Sequence, residues 1–124
     1  MSRRGAGDTR WTGRRGERIA AAWLRRRGYR ITGRNILRGS REVDLLGTSP
    51  DGRQQVVVEV KAGSGTFEQL AGRVDAGKRR RICSVAAGLQ GGTLPVRFDV
   101  VLVRFMDGGG WDVRHLPGAF GAPS

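Results

Sequence analysis

Apolar residues recur along this chain in two rhythms. Ile19, Ala20, Trp23 and Leu24 fall at i, i+1, i+4 and i+5, one face of a helix predicted from about Thr12 to Arg27. Arg14, Arg15, Arg18, Arg25 and Arg26 lie mostly off that face, and Gly28 follows where a left-handed terminating residue belongs. The period then shortens to two. Strands are predicted over Tyr29 to Arg38, with an irregularity at Gly33, over Glu42 to Thr48 and over Gln54 to Ala62. The turns between them, Gly39-Ser40 and Ser49-Pro50-Asp51-Gly52, are short, which implies an antiparallel meander.

Helical spacing returns in Leu70, Val74, Ile82, Val85, Ala86 and Leu89, predicting a main helix from about Val74 to Leu89 after a short turn, with Gly91-Gly92 as its end. Pro95 to Phe105 reads as a buried strand, and Trp111 to Leu116 pairs back on it across Asp107-Gly108-Gly109-Gly110. The order is helix, three strands, helix, two strands. The strands on either side of the second helix should run parallel through a right-handed crossover. The fold class is therefore α/β, a mixed β-sheet flanked by helices. Residues 1–12 read as a loose basic arm, 13–116 as a single domain and 117–124 as a tail.

Composition narrows the function. The 124 residues carry a formal net charge of +12, and Lys61 and Lys78 are the only lysines among 23 basic residues. A field of that sign attracts polyanions, so nucleic acid is the expected partner class, against a merely basic, soluble surface. No stretch approaches the roughly 18 to 20 apolar residues that cross a bilayer. A soluble, cytoplasmic protein with no membrane partner is expected. One cysteine, Cys83, and one histidine, His115, exclude an internal disulfide, a thiolate-rich zinc site and a multi-histidine metal centre.

The acidic residues in the strands stand out. Along Gln55 to Ala62, Val57, Glu59 and Lys61 share one face, and Val56, Val58 and Val60 share the other. Charge in a sheet interior needs a counter-charge, solvent or a ligand. Glu42, Asp44 and Leu46 likewise share a face of the preceding strand, with Val43 and Leu45 opposite. Paired in a meander, Asp44 would approach Glu59 across the ladder, where opposed Cβ atoms are about 5 Å apart. A hard divalent cation relieves such repulsion, and Mg²⁺ uses one or two carboxylates with carbonyl, water and phosphate oxygens.

Asp44, followed by Glu59-Val60-Lys61, resembles the D…(D/E)-x-K signature of the restriction-endonuclease-like nuclease superfamily. The chain as a whole resembles the uncharacterised YraN-like family within it, through Gly16-Glu17 with Ala20 and Leu24, Gly28-Tyr29, Arg34-Asn35, Glu42-Val43-Asp44-Leu45-Leu46, Val58-Glu59-Val60-Lys61, Lys78-Arg79-Arg80-Arg81-Ile82 and Arg97-Phe98-Asp99-Val100-Val101. The resemblance covers about Gly16 to Val103. It departs from the family pattern at Arg41, where Gly commonly stands, and at Ala62-Gly63, where Thr-Arg commonly follows and a cation is thereby missing.

The resemblance implies a metal-dependent nuclease that uses Mg²⁺ or Mn²⁺ to hydrolyse phosphodiester bonds in DNA, with branched or structured DNA suggested by similarity to archaeal Holliday-junction resolvases. Asp44 and Glu59 would ligate the metal with the carbonyl of Val60; otherwise they form a solvated strand end with ordinary salt bridges. Lys61 would stabilise the attacking water and the developing charge, or simply pair with Glu59. Where Arg fills almost every basic position, Lys at 61 points to a need for a compact ammonium. Glu17 resembles the superfamily's helical acid, against a solvent-facing alternative. Lys78, Arg79, Arg80 and Arg81 are candidate phosphate contacts or one solvated basic face. Glu42 is read as a strand-edge ion pair with a nearby Arg rather than a metal ligand, with support of the metal's ligands as its alternative, Asp99 as a structural partner of Arg97 or a helix Arg, and His115 has no assigned task. A homodimer would suit cleavage of two strands. The competing readings are a non-cleaving nucleic-acid-binding protein with the same fold, and a small RNA- or ribosome-associated protein.

Overall fold

Alternation of valines in the central strand creates two apolar faces, and the rest of the chain is arranged to cover both. The computed structural model describes residues 4–38, 41–74 and 94–119. Among them the elements are α1 (Arg4–Arg26), β1 (Arg30–Arg38), β2 (Arg41–Thr48), β3 (Gln55–Gly63), α2 (Phe67–Ala71), β4 (Val96–Phe105) and β5 (Trp111–Leu116). The five strands form one sheet in sequence order, antiparallel except for β3 and β4, which run parallel. The protein is an α/β domain with a mixed sheet and helices on both faces. No helix among the described residues is long and apolar enough to cross a membrane.

One face packs Leu45, Val56, Val58, Val60, Val101 and Val103 against Ala20, Ala21 and Leu24 of α1. The other gathers Val43, Leu46, Val57, Phe98, Val100 and Leu102 under Leu70 of α2. Helix α2 is short but firmly started: Thr66 Oγ1 accepts from the Gln69 N–H, and Gln69 Oε1 accepts from the Thr66 N–H. The expected main helix over Val74–Leu89, with Cys83, lies outside the described residues beyond Val74.

Several boundaries differ from expectation. Helix α1 begins at Arg4, so residues 4–12 join a helix where the sequence reads as an arm. No proline interrupts that stretch, and extending an existing helix adds one hydrogen bond per residue fixed. At the other end, the Gly118 N–H donates to Asp99 Oδ1 (3.0 Å) and the Ala119 N–H to the Phe98 carbonyl (3.2 Å), so residues 117–119 are folded against β4.

Asp99 explains that docking. It is fully buried, and it accepts from Arg97 Nε and Nη2 (both 2.8 Å) and from Gly118, with His115 Nε2 2.7 Å away. Arg97 also donates to the Tyr29 hydroxyl at 2.7 Å and to Gln54 at 3.2 Å. Burial alone would raise the Asp99 carboxyl, but His115 and Arg97 hold it below the usual carboxylate range. The task of His115 is thus structural: its ring meets Trp23 and Tyr29 edge-on and closes the cluster.

Helix α1 lies unusually close to β3. A Cβ added at Gly16 would stand 2.5 Å from the Ala62 Cβ, so the helix and the strand touch backbone to side chain. Glycine inside a helix costs up to about 1 kcal/mol relative to alanine, yet overpacking at such a contact costs about 1–3 kcal/mol. Gly16→Ala should therefore lower stability in urea titration, and adding Ala62→Gly should restore most of the loss. An additive pair would show that the two residues are not in contact.

Candidate active site

The site originates in a fork of the sheet. Pairing of β2 with β3 runs from Thr48↔Gln55 to Leu45↔Val58 and stops there, while β2 continues beside β1 to its first residue. Asp44 is the first residue beyond the paired stretch. The ladder contact expected between Asp44 and Glu59 is replaced by another: Asp44 Oδ2 accepts the Val60 N–H at 2.8 Å. A carboxylate stands in for a ladder carbonyl, and β2 turns away from β3. Strict alternation ends with it. Val43 packs with Leu46, not with Leu45 as a regular strand would have it.

Into this fork the chain brings acidic groups from three elements. Glu59 of β3 is 6% exposed; its Oε2 lies 3.1 Å from Lys61 Nζ, and its Oε1 is buried without a hydrogen-bond partner. Glu59, Asp44 and Glu42 border one small cavity of about 10 Å³, close to the least room that holds a water molecule. Glu17 approaches from α1. Asn35 of β1 links it to Glu42: with its amide nitrogen facing the two carboxylates, Asn35 donates to Glu17 Oε1 at 2.9 Å and to Glu42 Oε2 at 3.2 Å. Asn35 has φ of 51°, a left-handed conformation that asparagine tolerates better than other side-chain-bearing residues.

The electrostatics follow from this crowding. Loss of water on burial pushes the Asp44 carboxyl up to about 7; the Val60 N–H opposes the shift, and the charges of Glu17, Glu59 and Glu42 add to it. Glu17 is also raised, first by burial and further by Glu42, with the Asn35 hydrogen bond and the nearby Arg14 and Arg34 acting the other way. The half-buried Asp44 and the buried Asp99 are thus carboxylates with opposite outcomes. Asp99 is supplied with donors, whereas Asp44 is surrounded by anions.

Asp44, Glu59, Val60 and Lys61 therefore come together, and Glu17 is joined to them through Asn35 and Glu42 and by its charge on Asp44. Lys61 holds the ion pair with Glu59 that formed its simpler alternative. Glu42 meets Asn35 and borders the same cavity as Asp44. Lys78, Arg79, Arg80 and Arg81 lie outside the described residues. Asn35 is the residue that sequence reasoning left out of the site. Its signal was an asparagine within a strand, a position the residue type disfavours.

Among the described residues, no three Asp, Glu, His or Cys side chains are grouped closely enough to hold an ion by themselves. A cation here would take the Asp44 and Glu59 carboxylates and complete its shell with a main-chain carbonyl and solvent or phosphate oxygens. That donor set suits Mg²⁺, and the unpartnered Glu59 Oε1 beside a water-sized cavity fits it.

The family is shown by comparison. The model of uncharacterised protein family UPF0102 matches residues 16–103, and the chain belongs to that family. A UPF0102 protein of Anaeromyxobacter dehalogenans (strain 2CP-C) is 42% identical over 125 residues, covering 94% of this chain and 89% of its own length. One from Rhizorhabdus wittichii is 42% identical over 108 residues, covering 84% and 87%. One from Porphyromonas gingivalis (strain W83) is 40% identical over 113 residues, covering 87% and 82%.

The Asp44 shift has a measurable sign. An unfolded aspartate titrates near 4, so the folded state binds this proton more tightly, and the stability from this group is lost as pH rises from about 4 through 7. Asp44→Asn keeps an acceptor for the Val60 N–H but carries no charge. In metal-free buffer its Tm should match wild type near pH 4 and exceed it by several degrees at pH 8. Mn²⁺ at pH 8 should raise the wild-type Tm and leave Asp44→Asn nearly unmoved. Parallel melting curves for the two proteins across this range would contradict the assignment.

Proposed function

Taking the chain as a member of UPF0102, we propose that it is a metal-dependent nuclease hydrolysing phosphodiester bonds in DNA. The observation that carries this reading is the meeting of Asp44 and the half-satisfied Glu59 at one small cavity, with Lys61 beside them. Asp44, Glu59 and the Val60 carbonyl would hold Mg²⁺ or Mn²⁺. Bound there, the ion would act as a Lewis acid on the phosphate and lower the pKa of a coordinated water.

This chain's own residues supply the rest. The Asp44–Val60 hydrogen bond fixes one carboxylate on the main chain of β3. Asn35 fixes Glu17 and Glu42 in mutual reach, and burial holds the Glu17 carboxyl above the usual carboxylate range. The Lys61 ammonium, partly exposed at 23%, can exchange its Glu59 partner for the negative charge that develops on the phosphate. The excess of arginine gives the polyanion its attraction. Branched or structured DNA is the more specific substrate proposed, and a homodimer would suit cuts in two strands. A second reading, a non-cleaving nucleic-acid-binding module, is favoured by the Lys61–Glu59 ion pair, which neutralises both groups.

Purified protein with plasmid, single-stranded and four-way-junction DNA should cut at least one substrate when Mg²⁺ or Mn²⁺ is present, and none in EDTA. Asp44→Ala and Lys61→Met should each reduce cutting by about a hundredfold or more, while Asp44→Ala retains salt-sensitive binding. Binding without cleavage of any substrate, at every metal concentration, would replace the nuclease by the binding module.

A further inference from the structure

Beside the fork lies a much larger depression. Between α1 and the β1–β2 hairpin a groove of about 670 Å³ opens to solvent, and Glu17, Asn35 and Glu42 form part of it. Glu42 also borders the small cavity of Asp44 and Glu59, so the groove and the candidate active site share this carboxylate. Arg14 and Arg18, four residues apart and therefore on one side of α1, contribute from the helix, and Arg34 contributes from β1. All three arginines are exposed. Leu37, 66% exposed, adds an apolar side chain to the lining.

We infer that this groove seats one unpaired DNA strand on its way to Asp44 and Glu59, which rests on the nuclease reading above and gives it a substrate class. Three observations favour a single strand. The volume is that of a small-ligand pocket, suited to a nucleotide or two and too small to enclose a duplex. The Glu17 and Glu42 carboxylates repel phosphate, so the backbone follows the arginines and the sugar and base edges meet the acidic side. The Glu42 carboxylate and the Asn35 amide oxygen can accept hydrogen bonds from base edges. Lastly, an exposed leucine beside arginines has a use when base faces are uncovered, as they are in an unpaired strand and are not within a stacked duplex.

The test is a binding measurement in EDTA, where no cutting occurs. Fluorescence anisotropy would use a labelled 12-nucleotide DNA strand, its duplex and the RNA strand of the same sequence, with the full chain, over a salt series. The DNA strand should bind about fivefold or more tighter than the duplex and no weaker than the RNA. Arg18→Ala with Arg34→Ala should weaken single-strand binding about tenfold and flatten its log–log salt slope by about 0.7 for each phosphate no longer neutralised. Leu37→Ser, a change at an exposed position, should weaken the single strand severalfold and leave the duplex unchanged. Tighter duplex binding, or groove variants identical to wild type, would overturn the inference; preference for RNA would overturn its assignment to DNA. The two readings fail separately. Metal-dependent cutting with wild-type rates in the groove variants leaves the nuclease and removes the groove, whereas groove-dependent binding without any cutting does the reverse.

Discussion

The hydrogen bond from the Val60 N–H to Asp44 Oδ2 governs the architecture around it. A strand that pairs through a side chain cannot keep its neighbour at ladder distance, so β2 and β3 separate beyond Leu45, and the opening admits groups from either face of the sheet. Glu59 comes from the face that α2 covers, and Glu17 comes from α1 on the other. Without the separation, a continuous sheet would stand between them. The same bond holds an anion where water is scarce, and the folded protein tolerates this only in part, as the upward displacement of the Asp44 carboxyl records.

Two aspartates within one sheet, Asp99 buried and Asp44 half-buried, make the physical distinction clear. Asp99 is met by a guanidinium, an imidazole and a main-chain N–H, and it ties together Tyr29, β4, β5 and the turn at Gly118. It behaves as a fastening whose charge is already answered. Asp44 receives one N–H and faces three further carboxylates. Charge of one sign gathered without an equal answer is a weak way to build stability and a strong way to attract a cation.

Much of this was legible in the residues. Strict alternation through Val56–Val60 set β3 and its two faces, and the short turns set the meander. The parallel β3–β4 pair followed from the long connection between them. What alternation could not reveal was its own interruption: nothing in Glu42-Val43-Asp44-Leu45 signals that a side chain will take a main-chain hydrogen bond. For that reason Asp44 and Glu59 were expected as ladder neighbours, whereas a fork and a cavity bring them together. Asn35 escaped for a similar reason, since its role depends on a left-handed backbone and on two carboxylates from different elements. His115 was unassigned because its partner, Asp99, lies on the neighbouring strand.

The sheet keeps its two kinds of carboxylate apart along the chain. Every acidic group at the fork lies between Glu17 and Lys61, whereas the Asp99 fastening draws mainly on residues from Arg97 onward, and in the β3–β4 register Asp99 stands beside Val58, back to back with Glu59. The acidic fork and the Asp99 fastening are thus separately encoded. A descendant of this chain could exchange its acidic groups for neutral ones, shed any chemistry they perform, and still inherit an intact scaffold with its arginine-rich surface.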